Sequence, residues 1–550
     1  MERLYKVEPC RDTAQCEPPP MEEIIMAERK FPIGIQTFEK IRSEGYAYVD
    51  KTSQIYRLTH GTSIYHFLSR PRRFGKSLLI STLESYYSVR KDLFEGLAIA
   101  DLEQEWKSYP VLHLDLTGNN YHDPDALRLT LNHALCEWEE VYGSKSSEET
   151  LGDRLMGVIE RASKKAGLNV VLLVDEYEKP ILDTINDEAL QEKHRQSLNG
   201  FYGGIKKADR YLKFVLLTGV TKIGKLSVFS ALNNITDISL MEEYADICGM
   251  TEAEIARDFH EDIQAMADVQ HKSYDEMHAE LKREYNGYHF CEEMTQSVYN
   301  PYSLLNALAR KKISHYWFET ATPTFLVHLL RKHRPDIYHL AGSVIQRDSL
   351  TLINSFTSNP LPIIYQSGYL TISDYDGRFC EFTLDYPNAE VKEGFLNGLL
   401  PLIVGESQSA EFNVAHFVRS IEKGDTDAFF ERIDTLLSNV PYEIKLDYEV
   451  HFQNFVYLLF MLMGFYTSVE YHTAKGRVDL ILKTDKYIYI MEFKRGSSAQ
   501  AAMQQIKDKD YAKPFKLDGR KIVLVGANFA LDMSALDGVL VDSYTKEKEI

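Results

Sequence analysis

One run, Ser69-Arg70-Pro71-Arg72-Arg73-Phe74-Gly75-Lys76-Ser77, constrains this chain more than any other. It follows the apolar Ile64-Tyr65-His66-Phe67-Leu68, which reads as a buried strand. It precedes Leu78-Leu79-Ile80-Ser81-Thr82-Leu83, which reads as the first turns of a helix. Strand, loop ending in Gly-Lys-Ser, then helix is the setting a phosphate-binding loop needs. Gly75 lets backbone N–H groups close on a phosphate, Lys76 reaches the β and γ oxygens, and the Ser77 hydroxyl is a Mg²⁺ ligand. The helix N-terminus adds partial positive charge. Arg73, Phe74, Gly75, Lys76, Ser77 and Leu78 are therefore the candidate nucleotide contacts. Arg70 stands where the pattern G-x-x-x-x-G-K-[ST] has its first glycine. An isolated Gly-Lys-Ser is also an ordinary helix start, so the weight comes from the strand before it and a second strand downstream.

That second strand is Val170-Val171-Leu172-Leu173-Val174, followed by Asp175-Glu176. A β-branched and leucine run without alternation fits a parallel strand buried on both faces. At its C-terminal edge Asp175 is placed to hold Mg²⁺, and Glu176 to polarise the water that attacks a γ-phosphate. The bland alternative is an acidic strand end in solvent. Tyr211–Thr221 reads as another buried strand with a polar end, where Thr218 or Thr221 is either a γ-phosphate sensor or a turn residue. Strand–helix alternation from Ile64 to Leu240 predicts a parallel α/β sheet.

The chain has 550 residues, too many for one core. No apolar run is long enough to span a bilayer, and no signal-peptide pattern opens the sequence. The six cysteines are scattered without Cys-x-x-Cys spacing, so a reducing cytoplasm is the expected compartment. The net charge of −19 argues against non-specific coating of nucleic acid but leaves room for a local basic groove. Residues 1–30 carry Pro18-Pro19-Pro20 and read as a mobile leader, with one short helix near Met21–Glu28. A long helical stretch is expected over Pro124–Ala166. Helices are expected from Thr251 to Arg310, around a turn at Tyr285-Asn286-Gly287-Tyr288-His289-Phe290, and again over Tyr316–Arg334. Gly368–Ile372 and Cys380–Leu384 alternate in polarity around Ser373–Gly377, predicting a hairpin; with its flanking helices it suggests a winged-helix-like module, for DNA contact or for packing.

The C-terminal region holds a second constellation. Gly476–Leu482 and Tyr487–Lys494 read as paired strands. Glu492 and Lys494 share a face, and the hairpin brings Asp479 towards them. Two carboxylates and a lysine are able to bind a divalent metal and steady the hydroxide that attacks a phosphodiester, with Lys494 orienting the nucleophile. A helix from Ala499 supplies Gln505, Lys509 and Tyr511, with Gln505 and Lys509 one turn apart. A preceding helix, Glu449–Met463, carries Glu449 as a further supporting acid. The bland alternative is an exposed hairpin with surface charges. From Pro441 onward acidic and basic residues nearly balance, so the acidic surplus lies elsewhere.

These residues resemble the AAA-ATPase-like proteins fused to a C-terminal nuclease-like domain of the PD-(D/E)XK superfamily, common in bacteria of gut and anaerobic habitats. The likeness rests on Phe31-Pro32-Ile33-Gly34, Tyr48-Val49-Asp50-Lys51-Thr52, Arg70–Ser77 and Leu232–Asp237. It rests equally on Tyr285-Asn286-Gly287-Tyr288, Trp317-Phe318-Glu319-Thr320, Gly476-Arg477-Val478-Asp479 and Glu492-Phe493-Lys494. It covers nearly everything after residue 30, and Arg70 in the first glycine position is a feature of the family. One departure is Phe452-Gln453, where similar domains often carry Tyr-His.

The resemblance implies an α/β fold: a mobile leader (1–30), an AAA-type P-loop NTPase core (31–245), a helical lid region (246–345), a winged-helix-like module (346–404), a helical connector (405–440) and a restriction-endonuclease-like α/β domain (441–550). It implies ATP and Mg²⁺ as ligands and DNA as partner, with no membrane. Self-association is an open option, because many relatives of this ATPase class complete their site with a neighbour's arginine. The expected function is an ATPase whose nucleotide state controls a metal-dependent DNA endonuclease. The alternative is a nucleotide-switched scaffold whose C-terminal fold only binds DNA or protein.

Overall fold

Val170–Asp175 is buried at every position. Its side chains meet apolar partners on both faces, the condition of an inner parallel strand. A computed structural model of the chain describes residues 29–223, 235–321, 330, 340–351, 353, 359–404, 412–438, 448–464, 468–471, 478–531 and 535–544. In it β1 (Tyr65–Ser69), β2 (Val111–Asp115), β3 (Val170–Asp175), β4 (Leu212–Gly219) and β5 (Thr236–Asp237) form one sheet in the order β2-β3-β4-β1-β5. Every pairing is parallel. β4 therefore lies between the phosphate-loop strand and the strand that ends in Asp175. All three release their C-terminal residues at one edge, where an open α/β sheet binds ligands.

The helical stretch expected over Pro124–Ala166 is two helices, Ala126–Tyr142 and Leu151–Ala166. Gly143 stops the first at φ +84°, and the Thr150 side chain caps the second by accepting from the Asp153 N–H. Residues 251–310 are largely helical, as expected. Capping boxes at Thr251/Glu254 and Ser273/Glu276 start the helices Glu252–Asp258 and Tyr274–Tyr285. The short pair β6 (Met250–Thr251) and β7 (Val298–Tyr299) closes this layer. Its apolar faces make a second core with Val49 and Tyr316. Tyr316–Ala321 is helical; most of the helix expected beyond it, to Arg334, lies outside the described residues, as do the short helix near Met21–Glu28 and Leu232–Asn234.

The hairpin register differs from expectation. β9 covers Thr371–Asp376 and β10 covers Glu381–Asp385, with β8 (Ser343–Gln346) added on the far side of β10. The reversal falls on Gly377–Cys380 rather than Ser373–Gly377. Tyr375 is held in the strand against Phe382, ring centroids 4.8 Å apart, and this contact outweighs the turn propensity of Ser373 and Asp374.

The helices Ala389–Val404, Val414–Lys423, Thr426–Ser438 and Tyr448–Met463 lead into a mixed sheet: β11 (Ser468–Tyr471), β12 (Leu480–Lys483), β13 (Tyr487–Arg495), β14 (Lys521–Phe529) and β15 (Leu536–Ser543), in sequential order. Only β13 and β14 run parallel, joined across the helix Ala499–Asp508. One apolar core runs through both sheets, from Phe67 and Leu217 to Phe460 and Val525. No helix among the described residues is long and apolar enough to cross a membrane.

Candidate functional site

Two groups of side chains gather at strand ends. At the N-terminal sheet, Gly75 caps the helix Lys76–Tyr87 at φ +100°, a conformation that side chains rarely adopt. Lys76 is 5% exposed. Its Nζ donates to the carbonyls of Arg70 (3.0 Å) and Pro71 (3.3 Å), and it pairs with Glu176 Oε1 at 3.2 Å. Asp175 is buried, and its Oδ1 accepts from the Thr218 hydroxyl at 2.5 Å. Thr218 on β4 thus fixes the carboxylate ending β3. Thr221 turns elsewhere: its backbone N–H donates to Glu178.

Glu176 adopts φ +52°. The reversal lets Glu178, two residues on, tuck beneath β4, where it is fully buried and its Oε1 accepts from the N–H groups of Val220 and Thr221. Burial, then the charge of Glu176, holds the Glu178 carboxyl well above the usual range.

Arg70 is the residue whose role sequence reasoning missed. Its φ lies outside the left-handed region, so no glycine is required there. The guanidinium points back beneath the loop, 1% exposed. It donates to the carbonyls of Ser69, Ser239 and Tyr244 at 2.8–2.9 Å and lies 4.2 Å from the Phe290 ring centroid. It pins the loop to the chain after β5 and does not face the phosphate side.

Gly75, Lys76, Ser77 and Glu176 open onto a cavity of about 530 Å³, the size of a small-ligand pocket. Arg73, Phe74 and Leu78 line it as well. Its apolar walls come from segments far apart in sequence: Ile33 and Ile35, Val49 and Ile55, Met250 and Leu305. The Phe31–Gly34 motif thereby gains a place, as wall. Lys51, which also lines the cavity, pairs with Glu254 at 2.7 Å. Arg73 stacks 4.9 Å from the Tyr302 centroid. A smaller cavity, about 220 Å³, lies behind the loop against Asp237 and Tyr365; neither Lys76 nor Glu176 lines it.

The second group sits on the C-terminal sheet. Asp479 immediately precedes β12, and its Oδ2 accepts from the Phe493 N–H at 2.8 Å, which brings it beside β13. Burial pushes its carboxyl up to about 6. Glu492 is 2% exposed. Its Oε1 accepts from Lys494 Nζ at 3.0 Å and from Gln505 Nε2, while Lys494 also donates to Gln505 Oε1 at 2.7 Å. Its Oε2 is buried with no hydrogen-bond partner among the described residues. An unpartnered buried carboxylate oxygen is costly, and a cation beside it would remove that cost. The donor set of hard oxygens from Asp479 and Glu492 suits Mg²⁺ or Mn²⁺. Lys509 caps the helix one turn after Gln505, its backbone N–H donating to the Gln505 carbonyl at 3.1 Å; its side chain is exposed and makes no hydrogen bond or ion pair with this cluster among the described residues. Tyr511 packs on the small core under the sheet with its hydroxyl unpartnered. Glu449 lies in the helix Tyr448–Met463, but its side chain, like those of Phe452 and Gln453, is outside the described residues, and so are Gly476 and Arg477.

The family described as Predicted AAA-ATPase matches residues 32–229, and the PD-(D/E)XK nuclease superfamily matches residues 447–535. An uncharacterized protein in the vnfD 5' region of Azotobacter chroococcum mcd 1 is similar over nearly the whole chain. It is 33% identical over 532 residues, which is 94% of this chain and 100% of that protein. With a P-loop sheet at one end and a mixed nuclease-type sheet at the other, the chain belongs to the predicted AAA-ATPase family and carries a C-terminal domain of the PD-(D/E)XK nuclease superfamily.

Proposed function

We propose that the chain binds and hydrolyses ATP at the β1–β3–β4 edge and cleaves DNA at the Asp479–Glu492 pair. The observation that carries the first half is one constellation: Lys76 within 3.2 Å of Glu176 in the cavity wall, with Asp175, the residue before it, buried behind and fixed by Thr218. Lys76 binds the β and γ oxygens. Ser77 and Asp175 would hold Mg²⁺. Glu176 takes the proton of the attacking water, and the apolar walls seat the base. Pinned by Arg70, the loop is preorganised and needs little rearrangement to close on phosphate.

At the second site Asp479 and Glu492 would hold a divalent metal, supported by the lone Glu492 Oε2. Lys494 orients the nucleophile, and Gln505 keeps Glu492 in place. A bound metal supplies Lewis acidity and a water of lowered pKa at both sites. DNA as the polymer, cytoplasmic residence and the domain boundaries given above belong to this same reading.

The test is a pair of variants. Lys76→Ala should lose ATP turnover by roughly a hundredfold or more, and unchanged turnover would remove the loop from the chemistry. Glu492→Ala should lose plasmid nicking with Mg²⁺ or Mn²⁺, and nicking equal to wild type would remove Glu492. Tight nucleotide retention with negligible turnover would favour the switch-and-scaffold reading.

A further inference from the structure

Two sequence motifs take no part in either site, Tyr285-Asn286-Gly287-Tyr288 and Trp317-Phe318. Both lie between the phosphate loop and the start of the helix Ala389–Val404. The Trp317 indole N–H donates to the Arg72 carbonyl, inside the loop, at 3.0 Å. The backbone N–H of the same residue donates to Glu390 Oε1 at 2.7 Å. Glu390 is fully buried in the first turn of that helix. One residue thus holds the loop with its side chain and the helix with its main chain.

Neighbouring contacts repeat the link. Phe74 of the loop meets Tyr288 and Phe290 edge-on at 4.7 and 5.6 Å. Asn388, just before the helix, donates to the Asn286 carbonyl at 3.0 Å. Phe318 lies so close to Gly394 that a Cβ there would come within 2.5 Å of its ring. The helix Ala389–Val404 packs on the helix Tyr448–Met463. From that second helix the Phe460 ring stacks on Phe493, centroids 6.0 Å apart and 18° between planes. Phe493 sits between Glu492 and Lys494, and its N–H holds Asp479. The contacts lead from the phosphate loop to the Asp479–Glu492 pair through packed groups that are buried or partly buried, and such packing transmits small shifts because it deforms little.

We propose that Trp317 and Glu390 form the coupling joint through which nucleotide at the phosphate loop regulates the Asp479–Glu492 site, by way of the helices Ala389–Val404 and Tyr448–Met463 and the Phe460–Phe493 stack. The proposal rests on the nucleotide-site reading above. Trp317 and Glu390 are positioning residues and touch neither phosphate nor DNA. A loop that closes on phosphate moves the Arg72 carbonyl, Trp317 follows its acceptor, and the helix anchored at Glu390 follows Trp317.

The decisive experiment is amide hydrogen exchange on the full chain with and without a non-hydrolysable ATP analogue, reading residues 487–495, with analogue binding measured in parallel. In wild type the analogue should change exchange in 487–495 by about fivefold or more, the lower end of site-to-site coupling. Trp317→Phe keeps a ring but removes the donor to Arg72, and it should bind the analogue yet lose that response. Glu390→Gln keeps the acceptor oxygen and should retain the response, whereas Glu390→Ala should lose it. Phe460→Leu, at the far end of the chain of contacts, breaks the relay without approaching the loop and serves if the tryptophan variant does not fold. The proposal falls if bound analogue leaves 487–495 unchanged in wild type, or if the response survives in both Trp317→Phe and Phe460→Leu. Failure of wild type to bind the analogue would instead overturn the nucleotide site itself, and the joint with it. The readout needs no cleavage, so the joint is tested equally well in a protein whose nuclease site is inactive.

Discussion

The two sites use similar parts and enclose them differently. Each sets a lysine against a glutamate near the C-terminal end of a strand, with a second acid held by a neighbouring group. At the nucleotide site the acids are consecutive, Asp175 and Glu176, and Lys76 reaches Glu176 from the end of the separate phosphate loop. At the C-terminal site one acid, Asp479, stands just before β12 and the other, Glu492, lies in β13, and Lys494 shares that strand with Glu492. Lys76 is 5% exposed in its side chain and Lys494 29%. The first arrangement is enclosed by walls drawn from distant sequence, and the second leaves its lysine part-exposed. Under the function proposed above, the first shape suits a small molecule and the second a polymer.

The largest effect that tests this contrast is a double dissociation. Glu492→Ala should abolish nicking by roughly a hundredfold or more while ATP turnover stays at the wild-type level. Lys76→Ala should do the reverse for metal-dependent nicking measured without nucleotide. Loss of both activities in either variant would break the separation of the sites. Next in size is Arg70→Met. Removing the pin leaves several buried carbonyls unsatisfied, at a cost of about 3 kcal/mol; it should lower the melting temperature and weaken ATP binding, yet leave Mn²⁺ binding at the C-terminal sheet intact, read by calorimetry. A matched pair then sharpens the comparison. Thr218→Val and Gln505→Ala each remove a neutral donor from one carboxylate, so each should cost about tenfold, near 1.5 kcal/mol, in turnover and in nicking respectively. A much smaller loss for Gln505→Ala would mean that the open site tolerates looser placement than the closed one.

The smallest effect concerns the group between the sites. Burial pushes the Glu390 carboxyl up to about 7; the nearby Ser303 hydroxyl, the hydrogen bond from the Trp317 N–H and the charge of His315 oppose that, and the charge of Glu284 adds to it. A carboxyl raised on folding takes up a proton when the chain folds. Its contribution is whole below the unfolded value near 4.5 and is lost as pH rises through about 7. The melting temperature of wild type should therefore fall more steeply over that window than that of Glu390→Gln. Parallel curves would place Glu390 outside the titration.

How much was legible follows from how local each signal is. The phosphate loop, the Asp175–Glu176 pair and the Asp479–Glu492–Lys494 set could be read because each is short, or is closed by a single hairpin. The break at Gly143–Thr150 was missed because apolar spacing continues on both sides of it. β8 is four residues long and half polar, and it is a strand only because β10 offers an edge. Nothing adjacent in sequence announces that Arg70 turns back to Ser239 and Tyr244, some 170 positions away, or that Trp317 meets Glu390. Lys509 shows what spacing leaves open: it does follow Gln505 by one helical turn, but its long side chain is exposed, and periodicity alone does not say where such a chain reaches.

The left-handed turn at Glu176 has a practical consequence. A non-glycine residue there carries about 1 kcal/mol of backbone cost, and the turn is what aims one glutamate at the cavity while the next but one is sealed below. Someone wishing to freeze the protein around its nucleotide should choose Glu176→Gln, which keeps the bend and the reach towards Lys76. Glycine at that position would keep the bend without its backbone cost but lose the side chain that meets Lys76.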